Sequence, residues 1–349
     1  MSRRTRWLLG GVAAASAAAG VLHYADAPAL VAFLVAAVAL AGLAWVVSFT
    51  TEQVGQHFGP AVTGLLQSTL GNLPEFFVVV FALSAGEIVV AQFSIIGSIF
   101  ANALLVLGFV IVVGARESSD GIMRFSPRLP QDTATLLFLS GFIIVLVGVS
   151  ASAHDKASND IVTISAIASV LVLAVYGVWV YGYLKHATPA TGPRAPAGMP
   201  LPTSIALLAL GGVGAAFVSE WFIDALRPTI DELGISAQFA GLVIVAIAGN
   251  AVEHAVGVVL AAKGQADLAI SVVKNSVAQV AAFLAPALVL VSLLFSEHLT
   301  FDLAPVYVAA LALTILSIWQ VTGDGEATYF EGAALIATYV ILAVFTLYE

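Results

Sequence analysis

The chain has 349 residues, 60% of them hydrophobic and 9% charged, with mean hydropathy +1.04 and a formal net charge of −9. Soluble domains carry roughly 25% charged residues, so this composition describes a polytopic membrane protein. The acidic balance excludes a nucleic-acid partner, which requires basic patches. The absence of cysteine excludes disulfides, thiolate metal sites and a Cys nucleophile.

The chain opens with Met1-Ser-Arg-Arg-Thr-Arg6 followed by the apolar run Trp7–Leu22. A basic start before an Ala-rich run resembles a signal peptide. The run approaches spanning length and the segments after it are themselves transmembrane, so it reads as a retained first helix. A span needs about 20 apolar residues. Eleven candidates run along the chain, at 7–23, 28–49, 60–84, 87–114, 132–151, 160–184, 201–222, 237–262, 266–294, 303–320 and 328–347. Long continuous apolar runs predict helices, whereas membrane strands show short alternating segments.

Lysine and arginine set the orientation. With the N-terminus inside, the inner segments hold Arg3, Arg4, Arg6, Arg116, Arg124, Arg128, Lys185, Arg194 and Lys263. The outer segments hold Lys156 and Arg227. The bias predicts a cytoplasmic N-terminus and an outside C-terminus. The Pro/Ala/Gly-rich stretch 185–200 reads as a flexible cytoplasmic linker.

An internal repeat crosses that linker. Gly71-Asn-Leu-Pro-Glu75 matches Gly249-Asn-Ala-Val-Glu253, 178 residues on, and the same offset lays Gly86 on Gly264 and Ser98 on Ser276. The first copy's span runs outward and the second's inward, so the halves are inverted copies. The expected architecture is an all-α polytopic membrane protein with 11 transmembrane helices. It has an N-terminal helix at 1–27, a first five-helix repeat at 28–184, the linker at 185–200 and a second five-helix repeat at 201–349. Inverted repeats with Gly/Pro-interrupted helices point to a secondary transporter's midplane site.

Glu75 and Glu253 fall well inside their spans. An ionised carboxylate there is costly unless paired, hydrated or metal-bound, so such acids read as functional. Asn72 and Asn250 each precede a glutamate by three residues and share its helix face. Two such faces offer an all-oxygen cage, and hard cations such as Ca²⁺ take six to eight oxygens. Pro74 frees a carbonyl one turn earlier, which is tolerated at membrane depth only beside a cavity or ion site. The next spans add Ser98 and Asn102 in the first half and Asn275, Ser276 and Gln279 in the second, as site-lining groups. Gln92 reads equally as an interhelical hydrogen bond. His254 follows Glu253 and could tune it or take a proton, or be a packed neutral ring. Glu52 and Glu220, near span ends, read as solvated acids or as access points for protons or cations. Lys274 lies inside a span, where it could snorkel, pair with an acid or lose its proton.

These residues resemble the CAX family, the Ca²⁺/H⁺ antiporters of the cation/Ca²⁺ exchanger superfamily. The likeness covers most of 28–345 in span pattern and is strongest at 63–114 and 249–286, its motifs being Gly71–Glu75 with Gly97–Gly108, and Gly249–His254 with Asp267–Pro286. The Glu-His pair marks this family against its Na⁺-driven relatives. The resemblance implies ten core helices in two inverted repeats plus one N-terminal helix. It implies Ca²⁺ exchanged for H⁺ by alternating access, with Glu75 and Glu253 as the metal-binding pair. The chain departs from the family pattern at Ala101, at Asn275-Ser-Val277, at Lys274, and in a linker with no Asp or Glu. An exchanger of another ion pair, Na⁺/Ca²⁺ or Mn²⁺/H⁺, is the nearest alternative; an intramembrane protease and a passive channel are further ones. The expected protein is no enzyme and has no cofactor. Its partners are Ca²⁺, H⁺ and the lipid bilayer, and a homo-oligomer is compatible with the sequence. Its Ala/Gly-rich make-up points to a prokaryotic plasma (cell inner) membrane.

Overall fold

The computed structural model describes residues 1–25, 27–58, 63, 66–67, 69–126, 128–186 and 198–349, the side chains of 128–133, 183–184 and 186 excepted. Most of the expected linker, and part of the expected span 60–84, lie outside the described residues. The first helices are α1 (Arg3–Tyr24), α2 (Ala29–Gln56), α3 (Leu73–Ser84) and α4 (Ile88–Glu117). After the strand β1 (Ile122–Arg124) come α5 (Arg128–Ala153) and α6 (Ile161–His186). The second half holds α7 (Leu201–Leu233), α8 (Ala237–Ala262), α9 (Ala266–Ser292), α10 (Pro305–Thr322), β2 (Glu326–Thr328) and α11 (Tyr329–Leu347). The chain is an all-α multi-span membrane protein: ten described helices are long and apolar enough to cross a membrane, and α3 is a shorter apolar helix.

One expectation is corrected, and one feature is added. The span expected to end at 222 continues to Leu233, because the polar tail past Asp224 stays helical through Pro228 and stops only at Gly234, which has φ +63°. Strands do occur, as the three-residue antiparallel ribbon of β1 and β2. They lie in polar loops, beyond the apolar runs on which the helical reading rested.

The centre of the fold is α4 and α9, whose most apolar stretches are 89% and 67% buried, against 11–44% for the other membrane-length helices. Both carry a π-helical segment at the matching place, Ala101–Val106 in α4 and Val280–Leu284 in α9. A π turn leaves one residue out of the α register and is enriched at functional sites. The connections into these helices also match. Gly86 after α3 and Gly264 after α8 have φ +76° and +69°, so both turns use the left-handed conformation that glycine adopts freely.

The long helices α2 and α7 pack against each other. Leu43 meets Gly214 while Val46 and Val47 meet Gly211, which makes the pair antiparallel. The missing side chains at those glycines allow the close approach. Loop contacts fall at two ends of the bundle. At one end β1 pairs with β2, Ser126 N–H donates to Asp267 Oδ1 at 2.5 Å, and His57 Nε2 meets Met199 O at 3.0 Å. At the other, Arg227 lies 3.3 Å from Glu87, and Ser236 donates to Thr346 O at 2.5 Å. Each contact joins segments that alternating crossings place at one end.

Candidate cation site between two glutamate helices

Glu75 stands in the first turn of α3. Pro74 has no N–H, so the carbonyl one turn earlier loses its helical partner and a new helix starts after Gly71-Asn72. Asn72 is the N-cap residue, yet its side chain makes no capping bond. Glu253 sits instead within the continuous helix α8, where Val252 replaces proline, and the irregularity is a π segment upstream at Ala240–Val245.

The two motifs cross face to face. A Cβ placed on Gly71 would lie 3.6 Å from Glu253 Oε1, and one on Gly249 would lie 3.7 Å from Glu75 Cβ. Each motif's glycine therefore lies beside the other motif's glutamate. Glu75 is buried, with Ser98, Asn250 and Glu253 as its polar neighbours. Neither of its carboxylate oxygens has a hydrogen-bond partner among the described residues, and nor does Asn72 Nδ2. Ser98 and Asn250 are engaged with each other: Asn250 Nδ2 donates to Ser98 Oγ at 2.9 Å and to Ala246 O at 3.0 Å. Ser98 Oγ in turn donates to Ser94 O at 3.0 Å. Glu253 is half-buried and accepts a hydrogen bond from Ser276 Oγ.

Five expected groups thus meet, Glu75, Glu253, Asn250, Ser98 and Ser276, while Asn72 stands at the N-cap three residues before Glu75. None of the others bonds either glutamate among the described residues. Asn102 turns back on its own helix, with Nδ2 donating to Ser98 O at 3.0 Å. Gln279 is half-buried just ahead of the π segment of α9. Gln92 Nε2 donates to Asp302 O in a loop. His254 is half-buried, and its Nε2 has no partner among the described residues. Glu52 and Glu220 are exposed, and Glu52 accepts from Gln56 at 3.3 Å. Lys274 is buried, and its Nζ donates to Thr322 Oγ1 on α10 at 2.5 Å. It forms no ion pair among the described residues, so of the three readings of Lys274 the pairing with an acid is not seen, and a hydroxyl stands at its amine. Sequence reading had no route to Thr322, which is 48 residues away on another helix. Asn250–Ser98 likewise joins residues 152 apart.

Among the described residues no three His, Cys, Asp or Glu side chains gather as a metal cluster. A cation at the glutamate pair would complete its shell with hydroxyl, amide and main-chain oxygens or water, which suits a hard ion.

Two facing acids, one at a helix restart and one in a helix with a π segment upstream, inside a bundle of apolar spans, fit the architecture of a multi-span secondary transporter. The sodium/calcium exchanger protein profile matches residues 28–185 and 203–348. The chain belongs to that family, in its CAX group. It is similar to the vacuolar calcium ion transporter of Schizosaccharomyces pombe, 32% identical over 326 residues, covering 89% of this chain and 78% of that one. It is similar also to the Ca(2+)/H(+) antiporter ChaA of Bacillus subtilis, 30% identical over 328 residues, covering 91% and 92%. Among solved structures, native YfkE superposes with a TM-score of 0.82 at 26% identity, covering 98% of this chain and 100% of that one. The crystal structure of the H⁺/Ca²⁺ exchanger CAX shares the fold, with a TM-score of 0.77 at 15% identity over 98% of this chain and 89% of that one.

Proposed function

We propose that the protein exchanges Ca²⁺ for H⁺ across the membrane, at a site formed by Glu75 and Glu253 and exposed to each side in turn. The observation that carries this reading is the crossing of the two Gly-Asn-x-x-Glu segments, each glycine against the opposite glutamate. Two facing carboxylates hold one divalent cation or take up protons, and the two loads compete for the same oxygens. Two protons and one Ca²⁺ neutralise the same charge, so either load leaves the site electrically alike. Asn72, Asn250, Ser98 and Ser276 supply neutral oxygens and hydrogen bonds around the pair. The listeners to this exchange are the helices that close each side, moving about a fixed site in two inverted five-helix repeats. The similarity to proteins named as Ca²⁺/H⁺ antiporters supports the ion pair. The lysine and arginine bias supports a cytoplasmic N-terminus in a cell inner membrane.

The test is ⁴⁵Ca²⁺ uptake into proteoliposomes under an imposed pH gradient. Uptake against the Ca²⁺ gradient, driven by protons and absent under a Na⁺ gradient alone, is expected. Uptake driven only by Na⁺ would assign the protein to Na⁺/Ca²⁺ exchange, and equilibration with no gradient dependence would make it a channel.

A further inference from the structure

Helices α2 and α7 each pack on the glutamate helix of the opposite half, α2 on α8 and α7 on α3. They share a short likeness, Phe49-Thr50-Thr51-Glu52 against Phe217-Val218-Ser219-Glu220, 168 residues apart. Thr51 and Ser219 are both 0% exposed. Their hydroxyls are in different states. Ser219 Oγ donates to the carbonyl oxygen of Pro74, the residue before Glu75, at a loose 3.5 Å. Thr51 Oγ1 is buried with no partner among the described residues.

A helical threonine has an easy remedy, and the adjacent residue uses it: Thr50 Oγ1 donates to Val46 O at 2.6 Å. Thr51 is held away from that bond. Buried hydroxyls are nearly always satisfied, and an orphan is costly. The offset that relates Glu75 to Glu253 places Val252 opposite Pro74. The carbonyl that Thr51 would take by analogy with Ser219 is therefore that of Val252, the residue before the second glutamate. α2 and α7 are in close contact, at Leu43 with Gly214 and at Val46 with Gly211, a packing that a joint shift of the pair would preserve. A shift that brings one hydroxyl to its carbonyl carries the other away.

We infer that Thr51 and Ser219 are positioning residues that hold α2 and α7 in alternate settings. Ser219 engages the Pro74 carbonyl in the state described here, and Thr51 engages the Val252 carbonyl in the opposite-facing state. The inference rests on the alternating-access reading above and extends it to two residues outside the ion site.

The chain has no native cysteine, so labels can be placed singly. Asp160, before α6, and Glu232, near the end of α7, are both exposed. Spin labels at Asp160→Cys and Glu232→Cys report the setting of α7 by double electron–electron resonance in lipid, with and without Ca²⁺ and at two pH values. Two distance populations are expected. Ser219→Ala lowers the ratio of the described setting to the other by about fivefold, the factor of one typical net hydrogen bond. Thr51→Val and Thr51→Ala raise that ratio by a similar factor, while Thr51→Ser and Ser219→Thr leave it unchanged. Opposite signs are the signature, since a merely structural role would not give them. Two populations that both variants shift the same way, or that neither shifts, would overturn the inference and leave alternating access standing. One unchanging population under every condition would overturn alternating access, and the inference with it.

Discussion

The segments Gly71–Glu75 and Gly249–Glu253 share three residues in five, yet they are built differently. The first contains Pro74, and the helix restarts there, with Glu75 in its first turn. The second contains Val252, and helix α8 runs through unbroken. Glu75 is buried with two oxygens unpartnered among the described residues, whereas Glu253 is half-buried and holds Ser276. Duplicated chemistry has therefore been set in two different environments. The backbone at one proline and the hydroxyl at one serine account for the difference.

Neutralising each acid gives the largest expected effect. Glu75→Gln and Glu253→Gln each lower proton-driven ⁴⁵Ca²⁺ uptake by about a hundredfold, the scale of losing one member of a buried charge cluster. Their stabilities part company. Glu253→Gln turns the carboxylate acceptor of Ser276 into a neutral amide one, costing about 1 kcal/mol in thermal or denaturant unfolding. Glu75→Gln removes a buried carboxylate whose oxygens have no hydrogen-bond partner among the described residues, so it costs less stability than Glu253→Gln. Equal losses of stability would break the comparison.

Exchanging the residue before each glutamate, Pro74 against Val252, tests the backbone half of the argument. Val252→Pro inserts a proline into a helix interior and costs about 3 kcal/mol. Pro74→Val returns an N–H to the start of α3 and is tolerated in folding, but it lets the helix close across Gly71-Asn72 and slows exchange. Unfolding midpoints and uptake rates read the two outcomes. Loss of folding in both variants would show that the break at Pro74 is needed for stability and not only for the site.

The serines separate by less. Ser276→Ala strips Glu253 of its partner and is expected to weaken Ca²⁺ affinity by about tenfold, from a bond to a charged group. Ser98→Ala removes an acceptor from Asn250, which keeps Ala246 O, and is expected to cost about threefold, from a neutral bond. Isothermal or radioligand Ca²⁺ titration orders the two, and the reverse order would place the dominant contact in the first half.

Much of this was legible in the sequence. Apolar runs placed the spans, because continuous hydrophobicity over membrane length leaves few alternatives. The offset of 178 residues paired Gly86 with Gly264, and both adopt the same left-handed turn. It also paired the glutamates that now face each other. Other features had no local signal. Ser98 reaches Asn250, and Lys274 reaches Thr322, only after distant helices have packed. The Lys274 anomaly is resolved by a hydroxyl that no spacing rule could pick out. The tail of α7 past residue 222 was missed because its polarity resembles a loop, although its backbone remains helical to Gly234. The strands β1 and β2 are too short to show alternation.

The smallest expected effect lies where the two halves are joined outside the spans. In the β1–β2 ribbon Arg124 lies 2.7 Å from Asp120 Oδ2 and 3.1 Å from Glu326 Oε1. The hydrogen bond from Arg124, and then that from the Ile122 N–H, hold the Asp120 carboxyl below its usual range. A depressed carboxylate contributes stability that is fully present above its unfolded-state value and is lost as pH falls through the folded-state value. Asp120 therefore supports the ribbon at neutral pH and ceases to do so below roughly pH 4. The pair is solvent-exposed, so the contribution is small and screened by salt. Amide deuterium exchange at Ile122 and Arg124, corrected for its intrinsic pH dependence, is expected to show about a twofold loss of protection in that acid range. Asp120→Asn should show the lower protection at every pH. Glu75 and Glu253 lie in other helices, so Ca²⁺ uptake by Asp120→Asn at neutral pH should match the unsubstituted protein. A large change in uptake would mean that the ribbon couples the two halves during exchange, and the contrast between the two glutamate segments would then extend beyond the site itself.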